Sequence, residues 1–414
     1  MGTVVVVAPF FASFFRTQQV VPGVANIGLT PVDFVAGALG IVLVRYVIAE
    51  GTITVSKMST YFFGFLLLLI GWHVVRIEPA EAPLRSITLA LQLVRNALLV
   101  GCVLVFTRST DVPVINRLVS GGTAVIGALT VVLWMIADTY STELWEPLGA
   151  FHIMLTGTKK GFDQPLIRSQ WLVGDPNFYS ILLVVGLFCA VEIAIRRGRR
   201  QYYVEAAVIA VALFLTLSRT GIGAMLGAGT LALIASVQRK NQDILSIRPD
   251  WKAVLTAVVG VLGLLLTTPV YRVVRDRMQF GLFSGRLRLW GELLSSLNGG
   301  IVAGHGLRSA EILLGRYVHN SYISLLYQTG VVGLGMYLFT VAVVLKYGVE
   351  MISKDTLGAK TPWFYAFIAL GAFHLGYTYV YMPLAWLVPA LVLVRTQDER
   401  TWKLSLSEVV ARMR

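Results

Sequence analysis

Residues 361–394 read TPWFYAFIALGAFHLGYTYVYMPLAWLVPALVLV, a run without one Asp, Glu, Lys or Arg. As a single helix it would extend about 51 Å at 1.5 Å per residue, against a bilayer hydrocarbon core of about 30 Å. The run is therefore predicted to double back as two helices, 361–380 and 382–396, with the turn near Tyr381-Met382-Pro383. The rest of the chain has the same character. It has 414 residues, 56% hydrophobic and 14% charged, with a mean hydropathy of +0.73. Soluble domains carry about 25% charged residues, so this composition specifies a polytopic membrane protein.

Reading outward from that run, apolar segments of spanning length fall at 3–22, 29–49, 59–77, 86–107, 114–137, 176–195, 202–218, 220–237, 253–271 and 321–345. The predicted fold is thus an all-α polytopic membrane protein of about 12 transmembrane helices. It forms one integral membrane domain over 1–414, with a long loop, 271–320, between helices 9 and 10. The first segment, interrupted by Pro9 and Arg16, reads as a span because it lacks a basic leader and a cleavage site. The net charge of +13 sits largely in short loops such as Arg196-Arg197-Gly198-Arg199-Arg200. That is the positive-inside pattern of a bilayer protein, so no nucleic-acid partner is expected. The same loops put both termini in the cytoplasm. Cys102 and Cys189 lie in apolar runs and imply neither a disulfide framework nor a metal site.

That topology turns three segments outward together: 138–175, the turn Ser218-Arg219-Thr220-Gly221, and 271–320. The last carries Arg272, Arg275, Arg277, Arg286, Arg288, Arg308 and Arg316 against Asp276, Glu292 and Glu311, and no lysine. Guanidinium groups bind phosphate bidentately, so an arginine-only surplus on this side points to an anionic ligand. His319 follows at the start of the 321–345 helix, with Asn320 or Ser321 available as its N-cap. The positive helix end disfavours imidazolium and leaves a neutral ring able to accept a proton. Leu289, Leu293 and Leu297 are spaced for a short amphipathic helix lying on the membrane, ended by Asn298-Gly299-Gly300.

Other positions are open to plainer readings. Arg219 fits a snorkelling helix end as well as it fits a ligand contact. Arg95, near the middle of the 86–107 span, must face a polar cavity, an acidic partner or a lipid phosphate, and stands among the substrate-binding candidates on the last ground. Asp175-Pro176-Asn177 opens a helix in the ordinary way, with Asp175 as cap. Gly304-His305-Gly306 reads as a turn that lets backbone approach a ligand. His73, His152 and His374 have no metal-ligand spacing and are expected to be structural.

Five motifs in order resemble those of the bacterial O-antigen ligase/polymerase superfamily of membrane glycosyltransferases. They are Gly174-Asp175-Pro176-Asn177, Leu217-Ser218-Arg219-Thr220-Gly221, Ser284-Gly285-Arg286 with Trp290, Gly304-His305-Gly306-Leu307, and His319-Asn320-Ser321-Tyr322-Ile323 running to Gln328-Thr329-Gly330 and Gly333. The resemblance covers about residues 170–345. It implies transfer of a glycan from an undecaprenyl-diphosphate carrier to an acceptor hydroxyl, at the periplasmic face of the bacterial inner membrane, without nucleotide, metal or other cofactor. By matching position, His319 would be the catalytic base, or orient the acceptor, and Arg219 and Arg286 would hold the diphosphate. Arg288, Asn320, Tyr322, Asp175 and Asn177 would stand with them against substrate. The implied partners are the lipid-linked donor, a glycan or lipid A core acceptor, membrane lipids and other polysaccharide-assembly proteins. Val318 directly before the His-Asn pair, and Gln328 where ligases carry an acid, lean toward a polymerase joining repeat units. The alternative is a ligase acting on lipid A core. A flippase for the same lipid-linked sugar would need charge along both halves of its path, whereas these candidates gather on one side.

Overall fold

The computed structural model describes residues 1–15, 19–20, 28–77, 83–139, 156–159, 166–169, 175–238, 286–297, 299–315, 317–353, 358–378, 380–394 and 401–405. The predicted 253–271 span, His152, Gly174, Ser284, Gly285 and the loop residues Arg272, Arg275, Arg277 and Arg316 lie outside them. Among the described residues the helices are α1 Val4–Ala12, α2 Pro31–Glu50, α3 Lys57–Val75, α4 Pro83–Phe106, α5 Val112–Thr139, α6 Pro176–Arg197, α7 Arg200–Leu215, α8 Arg219–Gln238, α9 Arg286–Ser295, α10 Ser309–Leu314, α11 Ser321–Ser353, α12 Thr361–His374 and α13 Leu384–Val392. Six of them, α2 to α6 and α11, are long and apolar enough to cross a membrane.

Each helix begins and ends where local chemistry directs. Asp33 accepts hydrogen bonds from the Thr30 amide and hydroxyl, both at 2.6 Å, and so fixes the start of α2. The α6 helix begins with Pro176 behind the Asp175 cap and ends at Gly198 in the left-handed conformation. It is also the centre of the bundle. In its most apolar window 78% of residues are buried, against 22% for α2, which leaves Phe34, Ile41, Val44 and Ile48 exposed. A helix apolar all round that is buried on most faces is a core helix; α2 presents the same chemistry to lipid. Around α6 pack α5, α7 and α12, while α3 lies along α11 and α4 against α2, α3 and α13.

The helices alternate in direction and so define two ends. At one end, Ser86 of α4 donates to the Leu307 carbonyl, Arg76 after α3 donates to Gly304, and Asn320 before α11 donates to Leu375 after α12. At the other, Thr107 after α4 reaches Gly2, Asn116 of α5 reaches Ala359 before α12, and Ser59 of α3 reaches Leu393 after α13. The first is the site end.

Two predictions change. The all-α expectation omits three two-stranded antiparallel ribbons: Gln19–Val20 with Gly28–Leu29, Thr52–Ser56 with Thr401–Ser405, and Thr156–Lys159 with Leu166–Ser169. In the second, the successive β-branched residues Thr52-Ile53-Thr54-Val55 suit an extended strand, and Thr52 through Ser56 pair with Ser405 through Thr401. The predicted hairpin of the 361–394 run exists, but α12 stops at His374, six residues before the predicted end at 380. Leu375-Gly376-Tyr377-Thr378 forms a turn instead, because its carbonyls are taken by side chains from neighbouring helices.

Candidate functional site

Three helix N-termini meet at the site end, each with a residue that satisfies its leading amides. The Asp175 carboxylate accepts from the Asn177 and Phe178 amides at 2.7 and 3.3 Å. The Ser218 hydroxyl accepts from the Gly221 amide at 3.1 Å and donates to the Asn177 side-chain oxygen at 2.9 Å, which ties the start of α8 to that of α6. The Asn320 side chain accepts from Ile323 at 3.0 Å and is the N-cap of α11. Of the two residues predicted for that role it is Asn320 that caps; Ser321 donates elsewhere.

Its acceptor is in the turn that ends α12. Three successive carbonyls there each receive a side chain: Leu375 from Asn320 at 3.2 Å, Gly376 from an Arg286 guanidinium nitrogen at 2.8 Å, and Tyr377 from the Ser321 hydroxyl at 3.0 Å. The Tyr377 phenol donates to the second Asp175 oxygen. Gly376 abuts Thr220 so closely that a Cβ would need Thr220 to shift. The turn thus touches the starts of α6, α8, α9 and α11.

Arg286 is half-buried, and its guanidinium is held below the usual arginine range, first by burial and then by the Arg219 charge; Tyr377 acts in the opposite direction. Arg219, at the first position of α8, is also half-buried. Two guanidinium groups that disfavour each other at a junction of helix N-termini are a setting in which a dianion would relieve the repulsion. His319 faces the same turn. Its ring centroid is 5.9 Å from that of Tyr377, and its φ of 53° lies in the left-handed region. Such a conformation costs a non-glycine residue about 1–2 kcal/mol. The neighbours hold it there: the Trp290 indole donates to the Val318 carbonyl at 3.0 Å, and Asn320 is fixed by its cap.

The Gly304-His305-Gly306 turn approaches protein rather than ligand. Helix α11 is broken at Gly330, with φ 67° and ψ −171°. Residues 301–306 lie in that break: the His305 and Gly306 amides donate to the Tyr327 and Gln328 carbonyls at 2.9 and 3.0 Å, and the Val331 amide donates to Ile301 at 2.8 Å. Trp72 and Arg76 supply further donors, to Thr329 and Gly304. Every interruption of a helix frees backbone groups that must be paired elsewhere, and this segment pairs them. The amphipathic helix α9 likewise turns its apolar face to protein. Leu289, Leu293 and Leu297 are buried, the last two with Ala310, Val318 and Tyr327, which corrects the expectation that this face lies on the membrane.

The structure therefore brings together Asp175, Asn177, Arg219, Arg286, His319 and Asn320. Arg288 is exposed on α9. Tyr322 points into the helix packing, its phenol donating to Gly371 at 3.0 Å, one turn below the Leu375–Thr378 turn. Arg95 has the acidic partner its depth requires, Asp33 at 2.8 Å, and also donates to the Tyr381 carbonyl at 3.0 Å. His73 and His374 are buried and bonded to Tyr381 and Tyr337, as structural histidines. Gln328, expected within a motif, joins Glu311 at 2.9 Å and Ser324 at 2.8 Å. Burial pushes the Glu311 carboxyl above its usual range. Sequence reasoning missed Gly376 and Tyr377; the signal for them was a glycine followed by polar aromatics in a run otherwise fit to be one helix.

Among the described residues no group of three or more His, Cys, Asp or Glu side chains could hold a metal ion. No curated protein matches the chain. Residues 206–338, which run from α7 through His319 into α11, match the family model described as O-antigen ligase, and this match supports the resemblance to the O-antigen ligase/polymerase superfamily.

Proposed function

We propose that this protein transfers a glycan from an undecaprenyl-diphosphate carrier to an acceptor hydroxyl at the outer face of the inner membrane, as a polymerase that joins repeat units. The observation that carries the reading is the convergence of Arg286, Arg219 and His319 on one turn. In the reaction the acceptor oxygen bonds to the sugar anomeric carbon as the bond from that carbon to the diphosphate breaks. His319 takes the hydroxyl proton, a contribution of about 10²–10⁴ in rate. Arg286 and Arg219 hold the diphosphate as charge develops on it, with Arg288 at the approach. Asp175 and Asn177 serve by fixing the helix starts, since their side chains are bonded to Tyr377, backbone amides and Ser218. Arg95 contributes by holding the Tyr381 backbone, and Tyr322 by packing α11 on α12.

A ligase acting on lipid A core is the second reading, favoured by the description of the matched family. Gln328 does not by itself separate the two, because Glu311 sets a carboxyl group directly against its amide. Glycan phenotype does. Deleting a polymerase leaves single repeats on the final acceptor; deleting a ligase strands long chains on the carrier. For either enzyme His319→Ala should lower transfer by about 10²-fold or more with the protein still folded. Full glycan assembly by that variant sinks the reading.

A further inference from the structure

The Leu375–Thr378 turn lies beyond the matched residues 206–338, and the transfer chemistry assigns it nothing. Its position is nevertheless singular: three consecutive carbonyls receive Asn320, Arg286 and Ser321, and one phenol reaches Asp175. The carbonyl contacts do not depend on which side chain stands at 377. The phenol contact does.

The two oxygens of Asp175 have separate tasks. One caps α6 through the Asn177 and Phe178 amides; the other accepts the Tyr377 hydroxyl. A cap needs only the first. A phenylalanine at 377 would pack equally well against Phe373, whose ring centroid is 5.3 Å away, and would face His319 as the tyrosine ring does. What the hydroxyl adds is a fixed ring, anchored at its far end to a charged acceptor.

The geometry points to Tyr377 as a positioning residue: anchored on Asp175, its ring holds His319 in register with the Arg286 guanidinium that rests on the adjacent carbonyl. The inference rests on the transferase reading of His319 and Arg286. Tyr377 is assigned no contact with substrate. It acts through His319, whose ring centroid lies 5.9 Å from its own.

The test uses the purified full chain in detergent with an undecaprenyl-diphosphate-linked glycan. Tyr377→Phe should lower kcat by about tenfold, the scale of a sub-ångström misplacement, with the donor KM unchanged. In parallel, diethyl pyrocarbonate modification of His319, followed by mass spectrometry of its peptide, should proceed severalfold faster in the variant. Asp175→Ser keeps a cap of comparable quality, has no second oxygen for the phenol, and should reproduce the kcat loss. The double variant should be no slower than either single one, since both remove the same bond. A native rate of His319 modification in Tyr377→Phe overturns the inference whatever happens to turnover. So does faster modification with kcat unchanged, a loss confined to KM, or additive losses in the double variant. If the native chain transfers no glycan, the transferase reading fails instead, and the modification rates still decide whether Tyr377 holds His319.

Discussion

At the far end of the bundle the left-handed positions are Gly51, Gly198 and Gly358, whereas at the site end they include Leu217, Arg308 and His319 as well as glycines. The bonding differs in the same sense. The far end is closed by groups whose partners are buried or half-buried: Asn116 accepts from the Trp363 indole at 2.7 Å and donates to Ala359 at 2.8 Å, and buried Lys360 reaches Tyr347 and the Val394 carbonyl. Among the described residues only glycine takes the unusual conformation there, where it costs least. At the site end, side chains that could serve a ligand are bonded to carbonyls of one turn, and bulky residues are held in conformations they would otherwise avoid. Strain of about 1–3 kcal/mol per residue persists only where the surroundings over-determine it, and such positions gather at functional sites. Two ends of one helical bundle thus differ: one is tied together by side chains set between helices, the other gathers histidine and arginine side chains around one turn.

The sharpest way to break this comparison is to exchange the losses. Arg286→Ala should reduce transfer by about 10²-fold or more, as removal of a single charge-stabilising donor does, with little change in thermal stability. Asn116→Ala should do the reverse. It strands the buried Trp363 N–H, costs about 1–3 kcal/mol of stability, and leaves turnover per folded molecule unchanged. Transfer kinetics and thermal unfolding in the same detergent measure both. An unstable Arg286→Ala with native turnover would mean that the site end is structural too.

Glycine positions sharpen it further. A Cβ at Gly330 would overlap the Val302 carbonyl at a φ of 67°, so Gly330→Ala should cost about 3 kcal/mol or more and expel residues 301–306 from the break in α11. Gly198 has a similar φ of 62° with open space around it, and Gly198→Ala should cost about 1 kcal/mol. Limited proteolysis and unfolding midpoints compare the two. Equal losses would remove the distinction between a glycine required by contact and one required by φ alone.

What sequence could and could not supply follows from the same physics. Six of the twelve predicted spans correspond to described helices long and apolar enough to cross a membrane, and five more overlap other described helices, because apolar length is written locally. The caps Asp175 and Asn320 were legible for the same reason. The Leu375–Thr378 turn was not. The helix ends at His374, and the carbonyls that follow are bonded by Asn320, Arg286 and Ser321, all at least 54 positions away in sequence. The Gly304-His305-Gly306 turn was recognised as a close approach, but only the break at Gly330 reveals what it approaches. Arg95 was seen to need a partner; that the partner is the capping Asp33 depends on the packing of α2 against α4.

The smallest expected effect concerns Glu311, which lies between the two behaviours: a half-buried group at the site end, bonded like those at the far end. Its carboxyl accepts from Gln328, yet burial raises its pKa above the ordinary 4.5 despite Arg308, Gln328 and Ser324 acting the other way. The folded state therefore holds this proton more tightly than the unfolded chain does. By linkage, that contribution to stability is fully present below about pH 4.5 and is lost as pH rises through the raised folded value. Glu311→Gln carries no such proton and should unfold with a midpoint less dependent on pH across that window, with the native protein falling relative to it as pH rises. Parallel unfolding curves from acid to neutral pH would show that Glu311 is already ionised and paired in the fold. The site end would then owe nothing to a protonated acid, and its contrast with the far end would rest on the Leu375–Thr378 turn alone.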